Sequence, residues 1–413
     1  MPFALTATLC LWGYHLRPLV IGLLRRHLLL SLTFILLIAT SVALSVGLLA
    51  QERGLREGTA RAAEKFDLVI AAPGSEFSAM LAAVYLQPSA LPLIDGETFA
   101  RIEAHELVAL AAPLAFGDSW QGIPVIGTTR EFIAHLAGDL AAGQPFATTD
   151  EAVVGASVPL DMGETFEPLH GHGANGAVDQ HGFEYRVVGR MPRTGSPWDK
   201  AILVAVESVW EVHALPNGHG PDWDGTLGGP FEPSRFPGTP AVLVRATELW
   251  ASYAVQSEFT SERTMAFFPG TVLARLHTLM GDIRQLMSVL AVVTQVLVAV
   301  AVLAGLAMLS RLLARRLALF QALGASRGFI FALTWSFSTA LIVTGALLGV
   351  LLGMGATAAI SAAITARTDI LVTASLAWSE MHLVAAFVST VTLLSLFPAY
   401  LACRRSPLQD LRG

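Results

Sequence analysis

Residues 285–310 read QLMSVLAVVTQVLVAVAVLAGLAMLS, and residues 311–327 continue as RLLARRLALFQALGASR. The first stretch has no charged residue and exceeds the roughly 20 apolar residues that a helix needs to cross a bilayer. The second sets Leu312, Leu313, Leu317, Phe320 and Leu323 against Arg311, Arg315 and Arg316. That spacing predicts a short basic amphipathic helix. Gly324 can end it in the left-handed conformation, and Ser326 can cap the helix that follows. Such a helix between two spans can rest on anionic lipid or insert into a groove on a cytoplasmic partner.

Three further windows meet the span criterion. Residues 28–50 are uncharged, and residues 328–366 form an uncharged run between Arg327 and Arg367. That run exceeds one crossing, so an extra turn or a re-entrant tail is expected beyond a span at 328–361. The fourth window is 381–403. One arginine at the centre of a span costs about 2.5–3.5 kcal/mol on insertion scales, so four clean runs with arginine at most of their ends are informative. Arg17, Arg25 and Arg26 precede the first, Arg311 to Arg327 separate the second from the third, and Arg404, Arg405 and Arg412 follow the fourth. The positive-inside rule then predicts cytoplasmic termini, a cytoplasmic 311–327 loop and residues 51–281 outside.

Charge agrees. Of 413 residues 54% are hydrophobic and 14% charged, against about a quarter charged in soluble domains. Residues 51–281 carry a net −14 and the remainder +8. An acidic block between basic apolar flanks predicts a solvated domain tethered to a lipid bilayer, with no basic footprint for nucleic acid. Cys10 and Cys403 both lie outside that block, so no disulfide framework is expected in it. The apolar start is followed by arginines rather than preceded by them. This predicts an amphipathic interfacial segment over 1–27, with Trp12 and Tyr14 at headgroup depth, and not a cleaved signal peptide.

Within the block, strand-like runs occur at Asp67–Ala71, Ile123–Gly127, Ala152–Gly155, Tyr185–Gly189, Ala201–Val206 and Ala241–Val244, with helical stretches at Gly96–Glu106 and Thr129–Leu140. Charged residues 51–66 and the periodic stretch 269–284 can be stalk helices or ordinary connectors. Residues 213–240 hold six glycines and six prolines and predict a long loop, functional or disordered. The expected fold is therefore a membrane protein of four transmembrane helices with a large mixed α+β extracytoplasmic domain, of one lobe or two, on helical stalks. A cytoplasmic tail occupies 404–413.

Chemistry is sparse. No phosphate-binding G-x-x-x-x-G-K-[ST] occurs, and the only lysines are Lys65 and Lys200. His105-Glu106 lacks the second histidine of a zinc-protease helix, and Gly324-Ala-Ser-Arg-Gly328 lacks the strand that a nucleophile elbow needs. His170, His172, His181, His213 and His219 fall in glycine-rich loops and could bind a transition metal. Such loops commonly carry exposed histidines, and no metal, cofactor or catalytic residue is assigned. The spans contain no Asp, Glu or Arg, whereas a proton- or ion-coupled carrier usually keeps such residues in its spans. Gly345, Gly349 and Gly353 lie on one helix face and predict close helix packing, within the chain or in a homodimer.

The segment ARRLALFQALGAS (314–326) resembles the cytoplasmic loop of the FtsX-like permease family, which includes the macrolide-exporter MacB and the lipoprotein-releasing LolC and LolE types. The ending FPAYLACRRSPLQDLRG (397–413) is similar to that family's C-terminal pattern. FDLVIAAPGS (66–75) and VVGRMPRTGSPWDKAILVAVESVWEVH (187–213) resemble MacB-like periplasmic domains. The resemblance implies the permease subunit of an ABC transporter in the bacterial inner membrane, working as a homodimer by mechanotransmission. Energy would come from a separate cytoplasmic ABC ATPase subunit, because this chain lacks MacB's fused nucleotide-binding domain. Arg315, Arg316, Leu319, Phe320, Leu323, Gly324, Ala325 and Ser326 would couple to that ATPase, and a periplasmic adaptor or substrate protein could join on the other side. The alternatives are an FtsX-like signal transmitter that activates a periplasmic enzyme, and a membrane-anchored enzyme or sensor.

Overall fold

The computed structural model describes residues 16–87, 89–170, 182–279, 281–312, 314–368, 370–373 and 375–404. Trp12, Tyr14, His172, His181, Arg405 and Arg412, named above, lie outside the described residues, as does the tail beyond 404. The chain divides into two compact units. One comprises Met1–Gly54, Gly281–Ala362 and Thr373–Gly413, and the other Leu55–Met280 and Ala363–Val372.

Among the described residues are four helices long and apolar enough to cross a membrane, Leu28–Ala63, Ser288–Leu309, Arg327–Arg367 and Trp378–Cys403, whose larger parts lie in the first unit. Of the two expectations for the third, extra helical turns or a re-entrant tail, the structure has the first. The third is one continuous helix, Arg327–Thr368, and at 1.5 Å per residue it extends about 63 Å. The fourth is two helices, Trp378–Leu394 and Leu396–Cys403, which meet at Ser395. Pro398 is the cause, since it has no N–H to offer the carbonyl four residues back.

Small residues and a few polar pairs hold these helices together. A Cβ on Gly345 would sit 2.8 Å from Ile38 Cβ, on Gly349 2.7 Å from Ala39 O, and on Gly353 3.1 Å from Ala43 O. The three glycines therefore pack against the first long helix of the same chain. That face is occupied and is not open to a second copy. Gly305 likewise leaves space for the Phe34 ring. Gln295 Nε2 donates to Ser45 Oγ at 3.1 Å, and Trp335 Nε1 donates to the Thr392 carbonyl at 3.1 Å. Each bond satisfies a polar group buried among apolar neighbours.

The second unit is built on two sheets. Its strands are β1 (Leu68–Ala71), β2 (Val108–Pro113), β3 (Ala115–Trp120), β4 (Ile123–Thr128), β5 (Ala142–Gly143), β6 (Glu151–Val154), β7 (Thr165–Phe166), β8 (Leu169–His170), β9 (Tyr185–Arg190), β10 (Ile202–Ala205), β11 (Ala241–Ala246) and β12 (Met265–Phe267). One sheet has the order β12-β1-β11-β2 and is antiparallel throughout. The other runs β5-β9-β6-β10-β4-β3-β8, with β7 also on β9. It is mixed, because β4 with β10 and β6 with β9 are parallel. Strands β1, β6 and β10 are buried at every residue, which explains their unbroken apolar runs. Helices Gly96–Glu103 and Arg130–Ala137 are N-capped by Asp95 and Thr129.

All six strand-like runs read from the sequence are strands. The loop 213–240 holds no helix or strand apart from a single bridge between Ile94 and Thr239. It is packed rather than disordered: Phe231 and Phe236 are buried against Phe99 and Trp210, with the Phe99 and Phe236 rings stacked at 4.7 Å. Aromatic burial here supplies the ordering that glycine and proline do not.

Candidate functional site

The hairpin between the second and third long helices folds as a separate helix, Ala314–Ala322. Ala314, Leu317 and Ala318 are buried, at the i, i+3, i+4 spacing of one helix face. Arg315 and Leu319 lie on the other face and are exposed, and so is Leu323 beyond its end. Leu319 is 52% exposed and Leu323 84%. Two large apolar side chains beside a basic residue on one exposed face make a surface fit to receive a partner or a membrane surface. The side chain of Arg316 lies outside what the structure describes.

Backbone hydrogen bonds close the end of this helix. Gly324 has φ +97°. Its N–H reaches the Gln321 carbonyl at 3.0 Å, and the Ala325 N–H reaches that of Phe320 at 2.9 Å. This is the paired 5→2 and 6→1 closure that a left-handed residue permits. Ser326 Oγ then accepts the Phe329 N–H at 3.2 Å and caps the next helix. The Gly324–Gly328 match to a hydrolase motif is this turn between helices. Phe320 faces inward, and with Leu19, Leu23, Leu317 and Leu333 it lines a groove of about 370 Å3 beside helix Arg17–Arg26.

Gly345, Gly349 and Gly353 lie in the third long helix, against the first, and are packing residues. The loop histidines have different fates. His219 is buried, stacks on Trp223 with centroids 4.6 Å apart and contacts Glu207 Oε1 at 3.2 Å. Glu207 also accepts the Gly228 N–H at 2.6 Å, so His219 belongs to the packing of its loop. His170 and His213 come together, with Nδ1 of the first 3.1 Å from Nε2 of the second. Between them lies Asp118 on β3, a carboxylate that the sequence reading did not single out. Contact with Asp118, against the opposing effect of burial, holds the His213 imidazole above its ordinary pKa. The signal for Asp118 was absent from local sequence, since it stands 52 positions from His170 in a run rich in alanine and glycine.

No protein family model matches this sequence, and no curated protein matches it.

Proposed function

We propose that this chain is the membrane-spanning permease subunit of an FtsX-like, MacB-like ABC system, which couples ATP hydrolysis by a separate cytoplasmic ATPase to work on substrate outside the cytoplasm. The observation that carries this reading is the isolated amphipathic helix Ala314–Ala322, which turns Leu319 and Leu323 outward between two helices of membrane-spanning length. Leu319 and Leu323 beside Arg315 form an apolar and basic face of the kind that docks on another surface, and a groove on a motor subunit is the docking surface this reading assigns to it.

Basic residues at the cytoplasmic ends and an acidic α/β unit support an inner-membrane orientation with both termini inside and residues 51–281 in the periplasm. The second long helix supports assembly as a homodimer. Only 11% of its most apolar window is buried, against 39–44% for the other three. Helices Leu28–Ala63 and Pro269–Leu279 would serve as stalks that carry motion from the hairpin to the α/β unit.

The test is affinity purification of the full-length protein from native membranes in mild detergent. An ATPase is expected to co-purify, and Leu319→Asp is expected to lose it while membrane insertion is kept. Equal recovery of the ATPase with Leu319→Asp would sink the coupling role. Labelling of a cysteine placed at Ser326 by an impermeant maleimide in intact cells would sink the orientation.

A further inference from the structure

We propose that Asp118, His170 and His213 form a binding site for a first-row divalent transition cation, with Zn2+ as its representative and a fourth position open to solvent. This goes beyond the permease reading and does not rest on it.

The sequence builds the site through three local devices. Strands β3 and β8 pair with Asp118 directly opposite His170, so the two side chains share one face of the sheet. A register shift between Phe116 and Asp118 sets Gly117 as the extra residue and re-aims the chain on either side. A Cβ on Gly117 would lie 2.9 Å from His213 Nε2, so glycine leaves the third ligand its place. His213 in turn follows helix Val206–Val212, and its Nδ1 lies 2.7 Å from the Val209 carbonyl. A carbonyl only accepts, so Nδ1 carries the proton and the lone pair of the neutral ring sits on Nε2. An outer partner that fixes ring and tautomer in this way is what metal-binding histidines normally have.

The distances among the donor atoms identify what fits between them. His213 Nε2 lies 3.4 Å from Asp118 Oδ1, His170 Nδ1 lies 3.5 Å from the same oxygen, and the two nitrogens are 3.1 Å apart. Bonds of about 2.0–2.1 Å in a tetrahedron separate donors by about 3.3–3.4 Å. The three edges bracket that value.

Donor chemistry narrows the choice of ion. Calcium and magnesium prefer sets of oxygen ligands, whereas two imidazoles and a carboxylate suit zinc, cobalt or nickel. Asp118 is 1% exposed, and a dication offsets the cost of holding its charge away from water. His170 is 51% exposed on its side chain, which gives the ion an entry path and leaves room for water or an external ligand. Three protein ligands with one position free describe an exchangeable or ligand-accepting site rather than a closed structural one.

The experiment uses tag-free, chelator-stripped full-length protein in detergent. Zn2+ binding is followed by calorimetry and by melting temperature, and Co2+ serves as the spectroscopic probe. One high-affinity Zn2+ per chain, a raised melting temperature and the intense visible bands of four-coordinate cobalt are expected. His170→Ala, at an exposed position, should weaken binding at least about 100-fold with the circular dichroism spectrum unchanged. His213→Ala and Asp118→Asn should do the same, and His105→Ala should not. No binding by the parent protein, binding of equal affinity in His170→Ala, or a cobalt spectrum without four-coordinate bands would each overturn the proposal.

Discussion

Arg53 and Glu380, 327 positions apart, form an ion pair through Arg53 Nη1 and Glu380 Oε1. Glu380 is 3% exposed and sits in the first turn of helix Trp378–Leu394. Its Oε2 accepts the Ala377 N–H at 2.6 Å, and Arg53 also donates to the Ser375 carbonyl. One carboxylate thus caps the start of one long helix and fixes it to another. Breaking such a buried pair by removing one partner costs about 3–5 kcal/mol, because the remaining charge stays desolvated. Glu380→Ala is therefore expected to lower the melting temperature of the purified protein by many degrees. Glu380→Gln, which still offers an acceptor to Ala377, should lose less. Equal melting of Glu380→Ala and the parent would refute the clamp.

The glycine face gives a paired test within a single helix. Gly349 has no room for a Cβ against Ala39 and Val42, whereas a Cβ on Gly355 would meet nothing within 4 Å. Overpacking of a closely packed interface costs about 1–3 kcal/mol or forces the helices apart. Gly349→Leu should destabilise the folded protein and Gly355→Leu should leave it unchanged, as read by thermal melting in detergent. Similar effects at both positions would exclude packing as the reason for Gly349.

Backbone conformation alone decides Gly324, whose surroundings are open but whose φ is +97°. An L side chain there costs about 1–2 kcal/mol, least for asparagine. Under the proposed permease function, Gly324→Val is expected to weaken coupling to the proposed ATPase by loosening the turn, and Gly324→Asn should restore most of it. ATPase activity of the reconstituted complex is the readout, and a valine variant at parental activity would count against the turn.

Tyr85 supplies a pH test in the α/β unit. Burial raises its pKa from 10.0 to about 12, and its hydroxyl donates to the Thr59 carbonyl at 2.9 Å. A folded pKa above the unfolded value means that the native state holds its proton longer. Its stabilising contribution is complete below pH 10 and falls as pH rises through 12. The loss amounts to roughly 3 kcal/mol. Between pH 9 and 11 the stability of Tyr85→Phe should fall less steeply than that of the parent. Parallel pH profiles would remove the effect.

Much of this architecture was legible in advance. The apolar windows and the strand runs such as Leu68-Val-Ile-Ala71 and Ile202-Leu-Val-Ala205 declare themselves because burial on all sides demands unbroken apolar residues. Gly324 and Ser326 were equally plain, since helix ends have few chemical solutions. Six strands, β2, β3, β5, β7, β8 and β12, were missed, and β2 and β3 show why. Val108-Ala-Leu-Ala-Ala-Pro113 and Ala115-Phe-Gly-Asp-Ser-Trp120 hold residues that strands disfavour, and pairing with β11 and β4 is what makes them strands.

The amino-acid sequence by itself determined which segments are apolar enough to leave water, where they start and stop, and which hairpin joins them, because those outcomes depend on local composition and period. The tertiary structure alone decided that Gly345, Gly349 and Gly353 receive the first helix of the same chain, and that Asp118 meets His170 and His213. Neither meeting follows from any spacing along the chain, since each depends on strand register or helix rotation fixed by the packing of distant residues.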